Sequence, residues 1–112
     1  MTDPTTDPGP TRVAPDAVAR ISAQAARHAP GVHSLVIVPA RPYGVTVRQD
    51  DRTVSVDVDV VTWYGRSVLT VADAIRDAVI DQVTSSTGLT VREVTVTVTD
   101  VVVPGVDVPV PT

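Results

Sequence analysis

The stretch Thr53–Thr62, which reads TVSVDVDVVT, decides the fold of this chain. From residue 54 to residue 60, valine occupies every second position, and Ser55, Asp57 and Asp59 lie between the valines. Successive side chains of a β-strand point to opposite faces of the sheet, so this pattern gives the strand one apolar face and one polar face. The stretch therefore predicts a sheet that is covered on one side only.

Three more strands are predicted on either side of this stretch. Val32–Val38 is a nearly continuous apolar run, and Gly44–Arg48 alternates apolar with polar residues. Between the second and third strands, Gln49–Arg52 contains two Asp residues and predicts a hairpin turn. The last strand begins at Thr90 and alternates Val with Thr, until the run Val101–Val103 indicates a bulge or burial on both faces.

Two helices are predicted, one before the first strand and one before the last. The first helix extends from Pro15, which suits a first-turn position, to His28, where Pro30-Gly31 follows and ends it. The second helix begins after Ser67, a suitable N-cap, and ends at Gly88, which suits a left-handed C-terminal cap. Each helix has one apolar stripe, so both are expected to pack on the valine face of the sheet.

The fold predicted from these elements is an α/β (α+β) domain with the order α-β-β-β-α-β. It has a single mixed sheet of four strands, with both helices on one face. The first three strands are expected to form an antiparallel meander, and the second helix to make a right-handed crossover to a parallel fourth strand. The opposite face then carries polar side chains, namely Thr46, Arg48, Ser55, Asp57, Asp59, Thr95 and Thr97.

The two ends of the chain differ in composition from its centre. Residues 1–12 are polar and predict a disordered arm, residues 13–103 form the folded domain, and residues 104–112 form a flexible Pro-rich tail. No stretch resembles a signal peptide or reaches the roughly 20 apolar residues of a membrane span. We therefore expect a cytoplasmic protein without direct membrane insertion, which reaches the inner face of the membrane only through a partner.

Composition excludes several kinds of chemistry. The 112 residues contain 26 valines and no cysteine, which excludes disulfides, thiolate metal sites and thiol nucleophiles. The net charge is −4, and the nine arginines are scattered rather than clustered, which argues against nucleic acid as a partner.

Few residues are candidates for catalysis or metal binding. His28 and His33 span a helix end and a strand start, without a fixed metal-ligand spacing, so a structural role is favoured for both. Asp57 and Asp59 share a strand face and are candidates for binding a cation or for acid–base chemistry, although a solvated face explains them better. We predict no cofactor, no metal and no catalytic residue, and hence no enzyme.

Trp63 and Tyr64 carry two of the three aromatic rings of the chain, at the point where the third strand ends. Two interpretations are equally open: both rings plug the end of the sheet, or one of them is exposed as an interface anchor. A second candidate for an interface is the long last strand, which is able to pair with another chain if it lies at an edge. The candidate interface residues are Trp63, Tyr64, Asp57, Asp59, Thr95 and Thr97.

The order of three motifs resembles the alkaline shock protein family of bacterial envelope stress response proteins. The first motif, Pro30-Gly31-Val32, follows the first helix, and the second, Val60–Gly65 (VVTWYG), precedes an amphipathic helix. The third, Thr87–Val98 (TGLTVREVTVTV), follows that helix. The resemblance covers about residues 13–103, and the family has no established catalytic residues.

The resemblance implies a small α/β protein of the alkaline and envelope stress response. It implies a scaffold or adaptor that self-associates and binds a protein partner, such as one anchored in the membrane. One alternative is a regulator that binds an enzyme of fatty acid synthesis. Another is a small-ligand or metal-binding domain that uses Asp57, Asp59 or His33, for which a concave pocket joining these residues is required.

Overall fold

The computed structural model describes residues 12–105. The predicted order of elements is confirmed, and so is the α+β class with four strands and two helices. The predicted arm and tail fall almost entirely outside the described residues. The elements are α1 (Pro15–Arg27), β1 (Val32–Leu35), β2 (Val45–Asp50), β3 (Thr53–Trp63), α2 (Val68–Thr87) and β4 (Thr90–Val102).

The central strand β3 is paired along both of its edges. On one edge, β2 pairs antiparallel with the first half of β3, from Asp50 opposite Thr53 to Val45 opposite Val58. The short strand β1 pairs antiparallel with the last part of the same edge. On the other edge, β4 runs parallel to β3 along its whole length, so the sheet is mixed, as predicted.

The pairing of β1 differs from the expected meander. β1 pairs with β3 and lies end to end with β2, instead of pairing with it. The cause is the loop after β1: the predicted run to Val38 ends as a strand at Leu35, and Val38 and Arg41 then form an isolated bridge around Pro39. The four residues left in β1 cover only the end of β3, and the chain then turns to place β2 beside its beginning.

The strand β4 contains two β-bulges. One extra residue, Arg92, lies between the pairs of Val54 and Ser55, and a second, Thr99, lies between the pairs of Val60 and Val61. The irregularity predicted at residues 101–103 therefore exists, but it lies two residues earlier. Each bulge shifts by one residue which side chains share a face.

The core lies between the valine face of the sheet and the two helices, as predicted. The alternating valines of β3 are at most 1% exposed. The helix α1 packs mainly over β2 and β1, whereas α2 packs over β4 and against α1. Small side chains of α1 and β-branched side chains of α2 fill the space between the layers, namely Val18, Ala19, Ala23, Ala26, Val71, Ile75, Val79 and Val83.

The ends of α2 are capped as the sequence predicts. The Ser67 hydroxyl accepts a hydrogen bond from the Thr70 N–H at 3.4 Å. Gly88 adopts the left-handed conformation with φ 76°, and its N–H donates to the Thr84 carbonyl. These caps fix the beginning of α2 beside the end of β3, and its end beside the beginning of β4.

The turn between α1 and β1 depends on Gly31. This residue has φ 90°, and a Cβ atom placed on it would lie 2.5 Å from Cγ2 of Val71 in α2. Gly65, in the turn before α2, has a similar φ of 100°, but no atom lies within 4 Å of its Cβ position. A comparison of substitutions at the two glycines therefore separates the cost of a positive φ from the cost of steric overlap.

We expect Gly31→Ala to lower the free energy of unfolding more than Gly65→Ala does. Both substitutions place a side chain in the left-handed region, at a cost of about 1–2 kcal/mol. Gly31→Ala also overfills the contact with Val71, which adds about 1–3 kcal/mol. Urea unfolding followed by circular dichroism measures both variants, and equal losses of stability would contradict the close packing of Gly31 on α2.

Candidate protein-interaction surface

The sheet face that the helices leave uncovered carries the predicted polar residues. Asp57 of β3 pairs with Thr46 of β2 on one side and with Thr95 of β4 on the other. Asp59 pairs with Thr97 of β4. Four of the six candidate interface residues thus lie side by side on this face, which we call the polar face.

Arginines hold both carboxylates of the polar face. Nη1 of Arg48 donates to Oδ2 of Asp57 at 3.0 Å, and Nη1 of Arg41 donates to Oδ2 of Asp59. Both aspartates are half-buried under these contacts. The two acids are therefore members of ion pairs, and the positive charge beside each of them disfavours a cation there. Within residues 12–105, no three His, Asp or Glu side chains converge as a metal site.

The two histidines lie apart from these carboxylates. His33 packs edge-on against the Trp63 ring, with ring centroids 4.6 Å apart and an interplanar angle of 71°. Trp63 is four residues beyond Asp59 on β3, which corresponds to roughly 13 Å along a strand. His28 lies at the end of α1, where Nδ1 is 3.0 Å from the Gln24 carbonyl oxygen. Both histidines occupy the helix-end and strand-edge positions that the sequence predicts.

Trp63 and Tyr64 lie at the end of β3, outside the core. Trp63 is 39% exposed and Tyr64 is 65% exposed. The Tyr64 N–H donates to the Val102 carbonyl at 2.8 Å, which fixes the backbone of the turn while the ring faces solvent. We call Trp63, Tyr64 and His33 the aromatic end. Because the Tyr64 ring is mostly exposed, the interpretation in which both rings plug the end of the sheet does not apply to Tyr64.

The strand β4 has one edge paired with β3, and within residues 12–105 no strand pairs with its other edge. Two side chains contact the backbone of β4 instead. Nε of Arg76 donates to the Val94 carbonyl at 3.2 Å, and Oδ1 of Asp100 accepts from the Val101 N–H at 2.8 Å. We call this side of β4 the outer edge. It is a 13-residue strand edge, of which only parts are covered.

A stripe of α2 lies above the outer edge. It contains Leu69, Asp73, Arg76 and Ile80, which recur at helical spacing, and Arg76 from this stripe reaches the β4 backbone. Oδ1 of Asp73 accepts from Nη1 of Arg76 at 2.9 Å and holds its side chain in place. Leu69 is 77% exposed and Ile80 is 42% exposed. The sequence pattern did not single out these two residues, although both are apolar and lie off the core stripe of the helix.

Two grooves lie along the helices, away from the polar face. The larger has a volume of about 390 Å³ and is lined by residues of α1 and α2, among them Gln24, His28 and Asp81. The smaller runs between Arg20 and Ser86. Neither groove includes Asp57, Asp59 or His33, so neither joins the residues that a ligand-binding or metal-binding function would use.

We expect the two ion pairs of the polar face to differ in strength. A double-mutant cycle with Arg41→Ala and Asp59→Ala is expected to give a coupling energy of about 1 kcal/mol, because both side chains are half-buried. The cycle for Arg48 and Asp57 is expected to stay below about 0.5 kcal/mol, because the Arg48 side chain is well exposed. Chemical unfolding of the single and double variants measures both energies. A larger coupling for the Arg48 pair would contradict this assignment.

Comparison with known proteins gives a fold and a family. Among solved structures, the fold is similar to that of the MamM CTD in a nickel form and in a copper form, at 19% and 18% sequence identity. The alignments cover 76% of this chain and 96% and 95% of those chains, each with a TM-score of 0.52. At this identity, the likeness shows a shared fold. No curated protein matches the sequence.

A family of proteins described as having a cell envelope-related function matches residues 3–103 of the chain. This match covers the three motifs on which the resemblance was based, together with all six helices and strands. The chain therefore belongs to the alkaline shock protein family, whose described function is related to the cell envelope.

Proposed function

We propose that this protein is a non-enzymatic scaffold or adaptor of the envelope stress response, which works through protein–protein contacts. The observation that carries the proposal is the outer edge of β4, with exposed Leu69 and Ile80 above it. Unpaired N–H and C=O groups on a strand edge are matched by the backbone of an added strand. Exposed apolar side chains beside such an edge add buried area when a partner binds.

A second contact surface is the aromatic end. Aromatic side chains that are rigidly held and half-exposed are frequent anchors of protein interfaces. Trp63 is held by the His33 ring, and the backbone of Tyr64 is held by Val102. The aromatic end and the central part of the outer edge lie about five residues of β4 apart, or roughly 17 Å. The two surfaces therefore lie at different positions along β4, and an adaptor needs more than one contact surface.

The charges of the polar face support a non-enzymatic function. A general acid or base must have a free lone pair or proton within hydrogen-bond reach of a substrate. Here one oxygen of Asp57 and one of Asp59 accept from guanidinium groups, and His33 contacts Trp63 instead of either acid, so the three groups do not converge on one site. The two grooves along the helices include none of the residues that the ligand-binding alternative would use, so neither of them supports that alternative.

We propose that the protein is cytoplasmic and that it reaches the inner face of the membrane through a membrane-anchored partner bound at the aromatic end. Among the described helices, none has both the length and the apolar character needed to cross a bilayer. The alternative, a regulator of an enzyme of fatty acid synthesis, would use the same two surfaces with a different partner.

We expect the protein to sediment with inverted membrane vesicles from alkaline-stressed cells, and Tyr64→Ser to lower the bound fraction by about tenfold, as for loss of an interface anchor. Ile37→Ser is the matched control, because Ile37 is 57% exposed and lies beyond the other end of β1. Protease treatment of the vesicles before mixing is expected to abolish binding, because the partner is a protein.

Three outcomes would contradict this proposal. Equal binding to protein-free lipid vesicles would indicate direct contact with lipid, and equal loss in the Ile37 control would remove the aromatic end as the contact. Recovery of the protein only with a soluble enzyme of lipid synthesis would favour the regulator.

A further inference from the structure

We propose that the outer edge of β4 pairs with β4 of a second copy of this chain, in antiparallel orientation, with the two-fold axis at Thr97. This proposal rests on the proposed function, because it names the partner of a surface already assigned to protein contacts. Three observations support the proposal. They are the direction of the backbone groups of β4, the two side chains that already cover part of the outer edge, and the residues of α2 above it.

Three hydrogen bonds show which residues of β4 point their backbone groups outward. In a strand, N–H and C=O of one residue point to the same edge, and the edge alternates from one residue to the next. The Val102 carbonyl bonds to Tyr64 at the end of β3, so Val102 points inward and Val101 outward. The Val101 N–H and the Val94 carbonyl are each bonded by a side chain rather than by β3.

The bulge at Thr99 makes these assignments consistent with each other. If Val94 points outward, Val96 and Val98 also point outward, while Thr95 and Thr97 point inward. The single extra residue at Thr99 shifts the alternation by one, so that the next outward residue is Val101. This is the residue whose N–H is bonded by a side chain.

The outer edge is thus covered at Val94 and at Val101 and is open between them. Arg76 occupies the carbonyl of Val94, and Asp100 occupies the N–H of Val101. Between them, the N–H and C=O groups of Val96 and Val98 have no side-chain partner among the described residues. A strand that pairs here without breaking either side-chain contact must bond to Val96 and Val98 alone.

A second copy of β4 meets this requirement in one register. Antiparallel pairing about Thr97 places Val96 opposite Val98 of the second copy and, by symmetry, Val98 opposite Val96. Each of these pairs exchanges two hydrogen bonds, which makes four in total. Pairing about Val96 would instead place Val98 of the second copy opposite Val94, whose carbonyl Arg76 already holds.

Charge also favours the register about Thr97. In this register, because Thr99 is an extra residue, Val94 lies opposite Val101 of the second copy, at the position where Arg76 covers the strand. The N–H of Val101 is covered by Asp100. The guanidinium of Arg76 then lies beside an opposite charge from the other chain, and the symmetry repeats the contact. A charged pair of this kind fixes register and partner more than it adds affinity.

The stripe of α2 places an apolar residue at the same level as the axis. Because α2 runs back across β4, moving from Arg76 to Leu69 covers seven residues, or roughly 10 Å, toward the end of β4. Three residues of a strand span the same distance, so Leu69 lies at about the level of Thr97. Leu69 is the most exposed of the large apolar residues of the described chain, and in the dimer it faces its own copy across the axis.

Because the chain contains no cysteine, single cysteines report the register directly. Thr97→Cys is expected to form a disulfide-linked dimer under mild oxidation, because residues opposite each other in a non-hydrogen-bonded pair have Cα atoms about 4.5 Å apart. Thr95→Cys and Thr99→Cys are expected to link when the two variants are mixed. Thr46→Cys, on the polar face of β2, is the control that stays monomeric.

A second measurement does not depend on oxidation. We expect Leu69→Gln to weaken self-association by at least about tenfold in sedimentation equilibrium, since it places a polar group in the apolar centre of the contact. Ile37→Gln is expected to leave the dimer unchanged, because Ile37 lies in the loop after β1. Circular dichroism spectra that match the unsubstituted chain show that both variants are folded.

The outcomes of these experiments distinguish failure of the proposed dimer from failure of the proposed function. A chain that stays monomeric at high micromolar concentration, while it still binds membrane vesicles through Tyr64, has no dimer of this kind. Cross-linking between Thr95→Cys and Thr97→Cys, with none for Thr97→Cys alone, would place the axis at Val96 instead. If Thr97→Cys forms the dimer but the protein does not bind membrane vesicles, the proposal of a membrane-anchored partner is wrong and the dimer is retained.

Discussion

The structure depends on the position of β3, a strand that is paired on both edges and whose alternating valines, from Val54 to Val60, all point to one face. Valine is stiff at χ1 and fits a pleated surface well, so alternating valines order the strand and its buried layer together. Because β1 and β2 share one edge of β3 and β4 takes the other, every remaining element is placed relative to this strand. The two helices cover its valine face, and polar side chains occupy its opposite face.

The same arrangement explains why β4 has an outer edge. A parallel strand must be reached by a crossover, and here α2 provides it, so α2 lies above β4 and its side chains reach the strand backbone. Long exposed strand edges invite unwanted pairing, and proteins protect them with charged side chains and bulges. Arg76, Asp100 and the bulges at Arg92 and Thr99 have this effect on β4. The side-chain contacts lie at Val94 and Val101, and the stretch of β4 between them stays accessible.

Much of this fold could be predicted from local sequence patterns. Alternation of valine with polar residues gave the faces of β3 and β4, and Ser67 and Gly88 marked the ends of α2, because these signals arise from side chains within a few residues of each other. The pairing of β1 could not be predicted in the same way. A four-residue strand bounded by a Pro-rich loop fits either neighbour, and the choice depends on how much of β3 is left for β2.

The candidate surface could be predicted only in part, for a similar reason. The pattern placed Asp57 and Asp59 on one face, but their partners Arg48 and Arg41 are nine and 18 residues away. Arg76 and Val94, which meet at the outer edge, are also 18 residues apart. Such contacts depend on register and on bulges, and a single extra residue such as Thr99 changes which groups point outward.

The composition of the core relates this fold to its function. Valine and alanine fill most of the space between the helices and the sheet, and these small side chains let the layers approach closely. This packing is compatible with the proposed function, in which surfaces and strand edges contact the partners. On β4, Arg76 and Asp100 block pairing with most other strands, and they also determine which strand is able to pair. A partner must leave the contacts of Arg76 and Asp100 intact and must present a carboxylate near Val94, and the β4 strand of an identical chain meets both conditions.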